Sequence, residues 1–185
     1  TLESLKKATD IVNKKRIALQ RLSSLRAYDQ PPISGLDALL VNQKSFYDDP
    51  IRFTMKVNEL CDELEERVKR EEGVVPKGTP RILISGSPFA IPNWKLHAIV
   101  ENSGAVVVGE ESCVGNRNYR ELTDENFNSI DEAMDKIASR YMSIDCACFT
   151  PNKERIDNIQ KLFKELKADG VIHYALQFCT PYMIE

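Results

Sequence analysis

Long apolar runs are missing from this chain. The longest, such as Ala105 to Val108, fall far short of the roughly 20 residues that a membrane-spanning helix needs. The opening residues, Thr1-Leu2-Glu3-Ser4, lack the charged-then-apolar pattern of a secretory leader. An initiator Met is also missing, so the chain reads as not starting at a natural first residue. Nothing points to export, and the expected compartment is the cytoplasm. There is no basic excess either. The formal net charge is -3, from 25 Lys and Arg against 28 Asp and Glu, so neither nucleic acid nor an anionic membrane is an expected partner. No Gly-x-x-x-x-Gly-Lys-[Ser/Thr] loop occurs, which argues against ATP hydrolysis by this chain. No Cys-x₂₋₄-Cys knuckle of the kind common in structural zinc sites is found.

What remains is the composition of a folded chain of one domain or two small ones, with 185 residues, 42% of them hydrophobic and 29% charged. The first part reads as helix. Leu5, Ala8, Val12, Leu19 and Leu22 recur at steps of three and four and define one apolar face. Pro31-Pro32 interrupts it. A short helix follows from Leu36 to about Ser45. A longer one starts at Pro50 behind Asp48-Asp49, with Phe53, Val57, Leu60, Leu64 and Val68 as its stripe. Residues 73–80, rich in Gly and Pro, form a linker.

Beyond the linker the texture changes. Residues 81–85 and 105–108 are continuous apolar strands, and residues 171–178 form a third. Between them lie helices from Pro92-Asn93-Trp94 to about Ser103, from Ile130 to about Met142, and from Lys153 to about Ala168. The last carries Ile156, Ile159, Leu162, Phe163 and Leu166 on one side. Apolar strands alternating with helices imply a parallel sheet covered on both faces. The expected fold is therefore α/β: a Rossmann-like parallel sheet with flanking helices over residues 80–185, preceded by a helical segment over residues 1–75.

Five cysteines are present: Cys61, Cys113, Cys146, Cys148 and Cys179. An odd count without export argues against a disulfide framework. Cys61 sits beside the apolar stripe of a helix and reads as structural. The other four fall between positions 113 and 179. Ligands of parallel α/β sheets bind beyond the carboxyl ends of the strands. Cys113 lies in the loop after the second strand, and Cys179 directly follows the third. The Cys146-Ala147-Cys148 loop joins them only if the preceding chain returns to that edge, which the sequence leaves open. Several thiolates on one rim suit zinc or an iron–sulfur cluster; buried, unliganded thiols are the bland alternative.

Other residues near that rim invite the same two-sided reading. Ser85-Gly86-Ser87 leaves the first strand and offers N–H groups to an anion or cluster sulfide, or is simply a strand-end turn. Glu110 and Glu111 suit proton transfer or are solvated loop charges. Arg117 is a candidate counter-charge. His97 and His173 read as structural.

Three segments carry a family resemblance: Glu110-Glu111-Ser112-Cys113-Val114-Gly115, Cys146-Ala147-Cys148-Phe149-Thr150-Pro151-Asn152, and Gln177-Phe178-Cys179-Thr180-Pro181-Tyr182. They resemble the iron–sulfur subunits of the 2-hydroxyacyl-CoA dehydratase / benzoyl-CoA reductase family. Residues 81–87 and Pro92-Asn93-Trp94-Lys95-Leu96 resemble that family's strand and helix before the first cysteine. The resemblance is close over residues 80–182 and loose over residues 1–72. It implies Cys113, Cys146, Cys148 and Cys179 as metal ligands; read from their own chemistry, Ser85, Gly86, Ser87, Glu111 and Arg117 are the candidate cofactor-binding residues beside them. The extra Cys-x-Cys pair is similar to the branch with a double-cubane cluster, held by six cysteines, rather than a single [4Fe-4S]. The resemblance also implies single electrons from a separate ATP-hydrolysing activator protein. It implies an acyl-CoA or other small-molecule substrate and a homodimer or heterodimer. A full subunit of this kind is about twice as long, so the chain is expected to be a middle piece without an intact cluster. No catalytic acid or base is assigned. The competing expectation is a non-redox α/β binding module with a structural zinc or no metal.

Overall fold

In a computed structural model, residues 1–149 and 151–184 are described. Three helices come first: α1 (Leu2–Leu25), α2 (Gly35–Lys44) and α3 (Pro50–Lys69). Asp49 caps α3 by accepting from the N–H groups of Ile51 and Arg52, with Pro50 in the first turn. Helices α1 and α3 bury Ala18, Leu19, Leu22 and Leu25 against Phe53, Val57, Cys61 and Leu64. Cys61 is thus a core residue, and burial pushes its thiol up to about 11.

The expected face of α1 holds only in its C-terminal half. Ala8 is exposed, and ahead of Ala18 the helix instead buries Thr9, Asn13 and Arg16. These polar groups are matched rather than excluded. Asn13 exchanges hydrogen bonds with the Thr123 backbone at 2.8 and 3.0 Å, and Arg16 donates to Thr123 Oγ1 at 3.0 Å.

The rest alternates as expected: β1 (Arg81–Gly86), α4 (Lys95–Asn102), β2 (Val106–Glu111), α5 (Asn116–Tyr119), α6 (Ile130–Met142), α7 (Lys153–Glu165), β3 (Gly170–Tyr174) and α8 (Thr180–Ile184). The three strands form a parallel sheet in the order β2-β1-β3. One face packs Ile84 and Val107 with Leu39, Phe89 and Val100. The other packs Leu83, Val106 and Val108 with Leu162, Leu166 and Ala168 of the α7 region.

Two strand boundaries differ from the sequence reading. β2 continues through Gly109, Glu110 and Glu111, so these acidic residues are strand residues and fully buried, not loop charges. β3 stops at Tyr174, because β1, its partner, ends at Gly86 and offers no further ladder. A turn at residues 91–92 and the connecting residues 93–94 precede α4 rather than forming its first turn, with Trp94 as N-cap. On α7, Ile156 is 48% exposed, and Arg155 takes the buried position in its place.

The register of β1 against β2 shifts between Ile82 and Leu83, which pair with Val107 and Gly109. Val108 is therefore an extra residue, and a bulge of this kind re-aims the side chains beyond it. Glu110 consequently faces α1 and α4, and Glu111 faces α7.

Candidate functional site

The carboxyl edge of the sheet is assembled by short, well-tied loops. After β2, the Gly115 N–H closes a turn onto Ser112, donating to its carbonyl at 3.0 Å and its hydroxyl at 3.2 Å. Gly115 passes so close to the strand that a Cβ there would lie 2.2 Å from the Glu110 carbonyl oxygen. The turn leaves Cys113 exposed at the rim.

The chain then runs out through α5 and α6 and returns. Arg140 of α6 holds the outgoing limb by donating to the carbonyls of Arg117, Asn118 and Glu121 at 2.9–3.2 Å. Asp145, in the returning loop, accepts from Arg120 at 3.2 Å and from Asn158 at 2.9 Å. Asn152 fixes the next loop by donating to the Cys146 carbonyl at 2.8 Å. This return resolves what spacing left open: the Cys146-Ala147-Cys148 loop comes to the same edge as Cys113, where Arg117 and Tyr182 reach Cys113 and Cys146. Thr150 of that motif lies outside the described residues.

Beneath the thiols lies a buried polar layer. Glu111 accepts from Ser85 Oγ at 2.7 Å and from both Arg117 Nε and Nη2, the latter at 2.9 Å. Arg155 Nε stands 3.4 Å from the same carboxylate and its Nη2 donates to Ser85 Oγ at 3.1 Å. Both guanidinium groups lie on the ring of Tyr182, at 5.4 and 4.9 Å from its centroid. Arg117 Nη1 donates to the Tyr182 hydroxyl and also lies 3.8 Å from Cys113 Sγ. The Tyr182 hydroxyl is 3.9 Å from Cys146 Sγ. Burial pushes the Tyr182 phenol up to about 12, against the pull of Arg117, so it stays a proton donor.

The Cys-x-Cys pair is internally linked. Burial opposes ionisation of Cys146, but hydrogen bonds from the Cys148 backbone and side chain and from Tyr182 outweigh it and lower its thiol. That same hydrogen bond to Cys146 raises the Cys148 thiol.

Cys179 does not directly follow β3. It sits half-buried at the start of α8, after the turn of residues 175–178, where Phe178 takes a φ of 68°. Among the described residues, no group of three or more His, Cys, Asp or Glu side chains is arranged to hold a metal ion. The thiol-bearing loops thus share one edge without forming a closed ligand set. Their donor chemistry, thiols beside arginines and a buried phenol, fits a thiolate-held cluster.

The remaining candidates resolve as follows. Gly86, at φ 132°, cannot carry a side chain, since a Cβ would lie 2.1 Å from the Tyr174 carbonyl oxygen. The Ser87 N–H donates to that carbonyl at 2.8 Å, and its hydroxyl accepts from the Leu176 N–H at 3.1 Å. Ser85-Gly86-Ser87 therefore fastens the exit of β3 and supports Glu111. His97 is buried, 3.0 Å from Glu110 and edge-on to Phe89. His173 lies 3.0 Å from the Tyr182 carbonyl oxygen.

The family's sequence model, described as 2-hydroxyglutaryl-CoA dehydratase, D-component, matches residues 1–185. The chain belongs to the 2-hydroxyglutaryl-CoA dehydratase D-component family. The match takes in the N-terminal helices, where the resemblance read from motifs was loose. Among relatives of this D-component segment is YjiM of Escherichia coli (strain K12), whose name makes it a candidate dehydratase subunit. It is 32% identical over 187 residues, covering 99% of this chain and 46% of that protein. The (R)-phenyllactyl-CoA dehydratase beta subunit of Clostridium sporogenes is 30% identical over 183 residues, covering 98% of this chain and 46% of that subunit. The D-component segment thus spans somewhat under half the length of the curated relatives it matches. No helix among its described residues is long and apolar enough to cross a membrane.

Sequence reasoning does not single out Arg155 or Tyr182. A signal for Arg155 exists: Arg155, Ile159, Leu162 and Leu166 share one helical face, and a cation in phase with an apolar stripe needs a buried partner. Tyr182 has no such signal beyond lying in the Cys179 motif.

Proposed function

We propose that this segment carries the thiolate ligands of an iron–sulfur cluster in a two-component, low-potential enzyme. The ligands are Cys113, Cys146, Cys148 and Cys179. The cluster, when bound, supplies one-electron redox chemistry. The electrons come singly from a separate ATP-hydrolysing activator protein. The substrate is a (R)-2-hydroxyacyl-CoA that loses water, or another small molecule that is reduced. The subunit works beside a second subunit, consistent with the beta-subunit name of the Clostridium relative.

The observation that carries this reading is the meeting of Cys113 and Cys146, from two distant loops, on the single Arg117–Tyr182 bridge. The chain's own residues do three things there. The loops bring thiols to the sheet edge, Arg117 pulls both thiols toward the anionic form although burial leaves that of Cys113 raised, and the buried layer keeps the floor of the site rigid.

The test is iron, acid-labile sulfide and zinc on the full-length subunit purified without oxygen. About eight irons per subunit, lost on changing Cys146 and Cys148 together to Ser, is the double-cubane result. About four irons retained in that variant gives a single [4Fe-4S] cluster instead. Zinc alone, or no metal, overturns the redox reading and leaves an α/β binding module.

A further inference from the structure

We infer that Tyr182 and Arg117 are positioning residues that join the Cys113 and Cys146 loops and set the cluster's reduction potential by donating to their sulfurs. This rests on the proposed cluster site and goes beyond it by assigning residues that carry no metal.

Arginine can only donate, so in its contact with Arg117 Nη1 the Tyr182 hydroxyl must accept. Its own proton is then left for another acceptor, and Cys146 Sγ stands 3.9 Å away. The same Arg117 Nη1 faces Cys113 Sγ at 3.8 Å. One guanidinium nitrogen therefore serves one thiol directly and the other through the phenol.

The bridge is held from below and from the side. Glu111, fully buried, grips Arg117 through Nε and Nη2, which fixes the plane of the guanidinium. Tyr182 is 5% exposed, and its ring is packed against both guanidinium groups. The His173 ring nitrogen at 3.0 Å from the Tyr182 carbonyl oxygen ties the start of α8 back to β3. A residue needed only for packing at this spot would not require a hydroxyl; Phe would fill the same volume. Hydrogen bonds to ligand sulfurs raise a cluster's potential and secure its ligands.

The experiment compares the full-length subunit, purified without oxygen, with its Tyr182→Phe, Arg117→Lys and Tyr174→Phe variants. EPR-monitored redox titration gives the potential, and iron release to a chelator gives retention. Tyr182→Phe keeps the ring and is expected to shift the potential negative and to weaken iron retention roughly ten- to hundred-fold. Arg117→Lys keeps the charge but loses the fork onto Glu111, and is expected to shift the potential the same way. Tyr174→Phe removes a hydroxyl that bonds Asn93 rather than a thiol, and is expected to match the parent. If the parent binds iron and both Tyr182→Phe and Arg117→Lys titrate and release iron as it does, the inference is overturned and the cluster site stands. If Tyr182→Phe does not fold, Arg117→Lys decides on the same two readouts. A parent without iron overturns the cluster site and this inference together.

Discussion

Glu110 and Glu111 are neighbours in one strand, equally buried, each gripped by arginine, and they do different work. Glu110 accepts from Arg26 Nη1 and Nη2 at 2.8 and 2.7 Å and lies 3.0 Å from His97. Arg26 caps α1, and its Nη2 also takes the Val107 carbonyl at 2.9 Å, so this pair ties the N-terminal helices to the sheet. Glu111 turns the other way, onto Arg117 and Arg155, and its partner Arg117 touches the Cys113 thiol. The bulge at Val108 decides which carboxylate faces which side. One carboxylate assembles the fold, and its neighbour supports the site.

The largest expected effect tests that division. Glu110→Ala leaves Arg26 buried without its carboxylate, and breaking a buried pair from one side costs about 3–5 kcal/mol. Urea unfolding of the full-length subunit should show a loss of that size. A loss below about 1 kcal/mol would show that Arg26 finds another partner. Glu111→Gln should cost less, about 1.5–3 kcal/mol, since the amide oxygen still accepts from Ser85 and Arg117 Nη2 while its NH2 loses only the bond from Arg117 Nε. It should also release iron faster at temperatures where the protein stays folded. Glu110→Gln, assayed alongside, should not. If both variants lose iron equally, the two carboxylates are not functionally distinct.

Acid sharpens the same contrast. Burial raises the Glu110 carboxyl, but Arg26 and His97 outweigh it and hold it at about 2, below its ordinary 4.5. A depressed folded pKa contributes stability that is present above 4.5 and is lost as pH falls toward 2. Melting temperature should therefore drop across that window, and Glu110→Gln should flatten the drop. The smallest effect belongs to the returning limb. Ser129 caps α6 by accepting from the Glu132 N–H at 3.1 Å. Ser129→Ala should cost about 1 kcal/mol in thermal unfolding with iron content unchanged.

Periodicity makes most of the fold legible. The α3 stripe, the Pro50 start and the span of α6 are readable because local physics dictates them. The misreadings share a cause, which is that they depend on partners far away in the chain. Glu110 and Glu111 look solvated in a one-dimensional pattern until Arg26, 84 residues away, is known to reach Glu110. Residues 175–178 look strand-like because Ala, Leu and Phe are there, but a strand needs a partner, and β1 ends at Gly86. For the site, the cysteines are visible as residue types. Cys113, Cys146 and Cys148 meet through the α5–α6 excursion, which no spacing rule encodes. The family match confirms the family resemblance and extends it over the N-terminal helices.

The order in which the site can come into being follows from that excursion. Cys113 and Cys146 become neighbours only after the sheet has paired, α6 has docked through Arg140 and the chain has returned. Contacts between segments distant in sequence carry a loop-closure cost that local contacts do not. On the proposed cluster reading, metal delivery waits for an already folded polypeptide, because an unfolded chain offers only scattered thiols. On that reading, cluster loading follows folding rather than driving it.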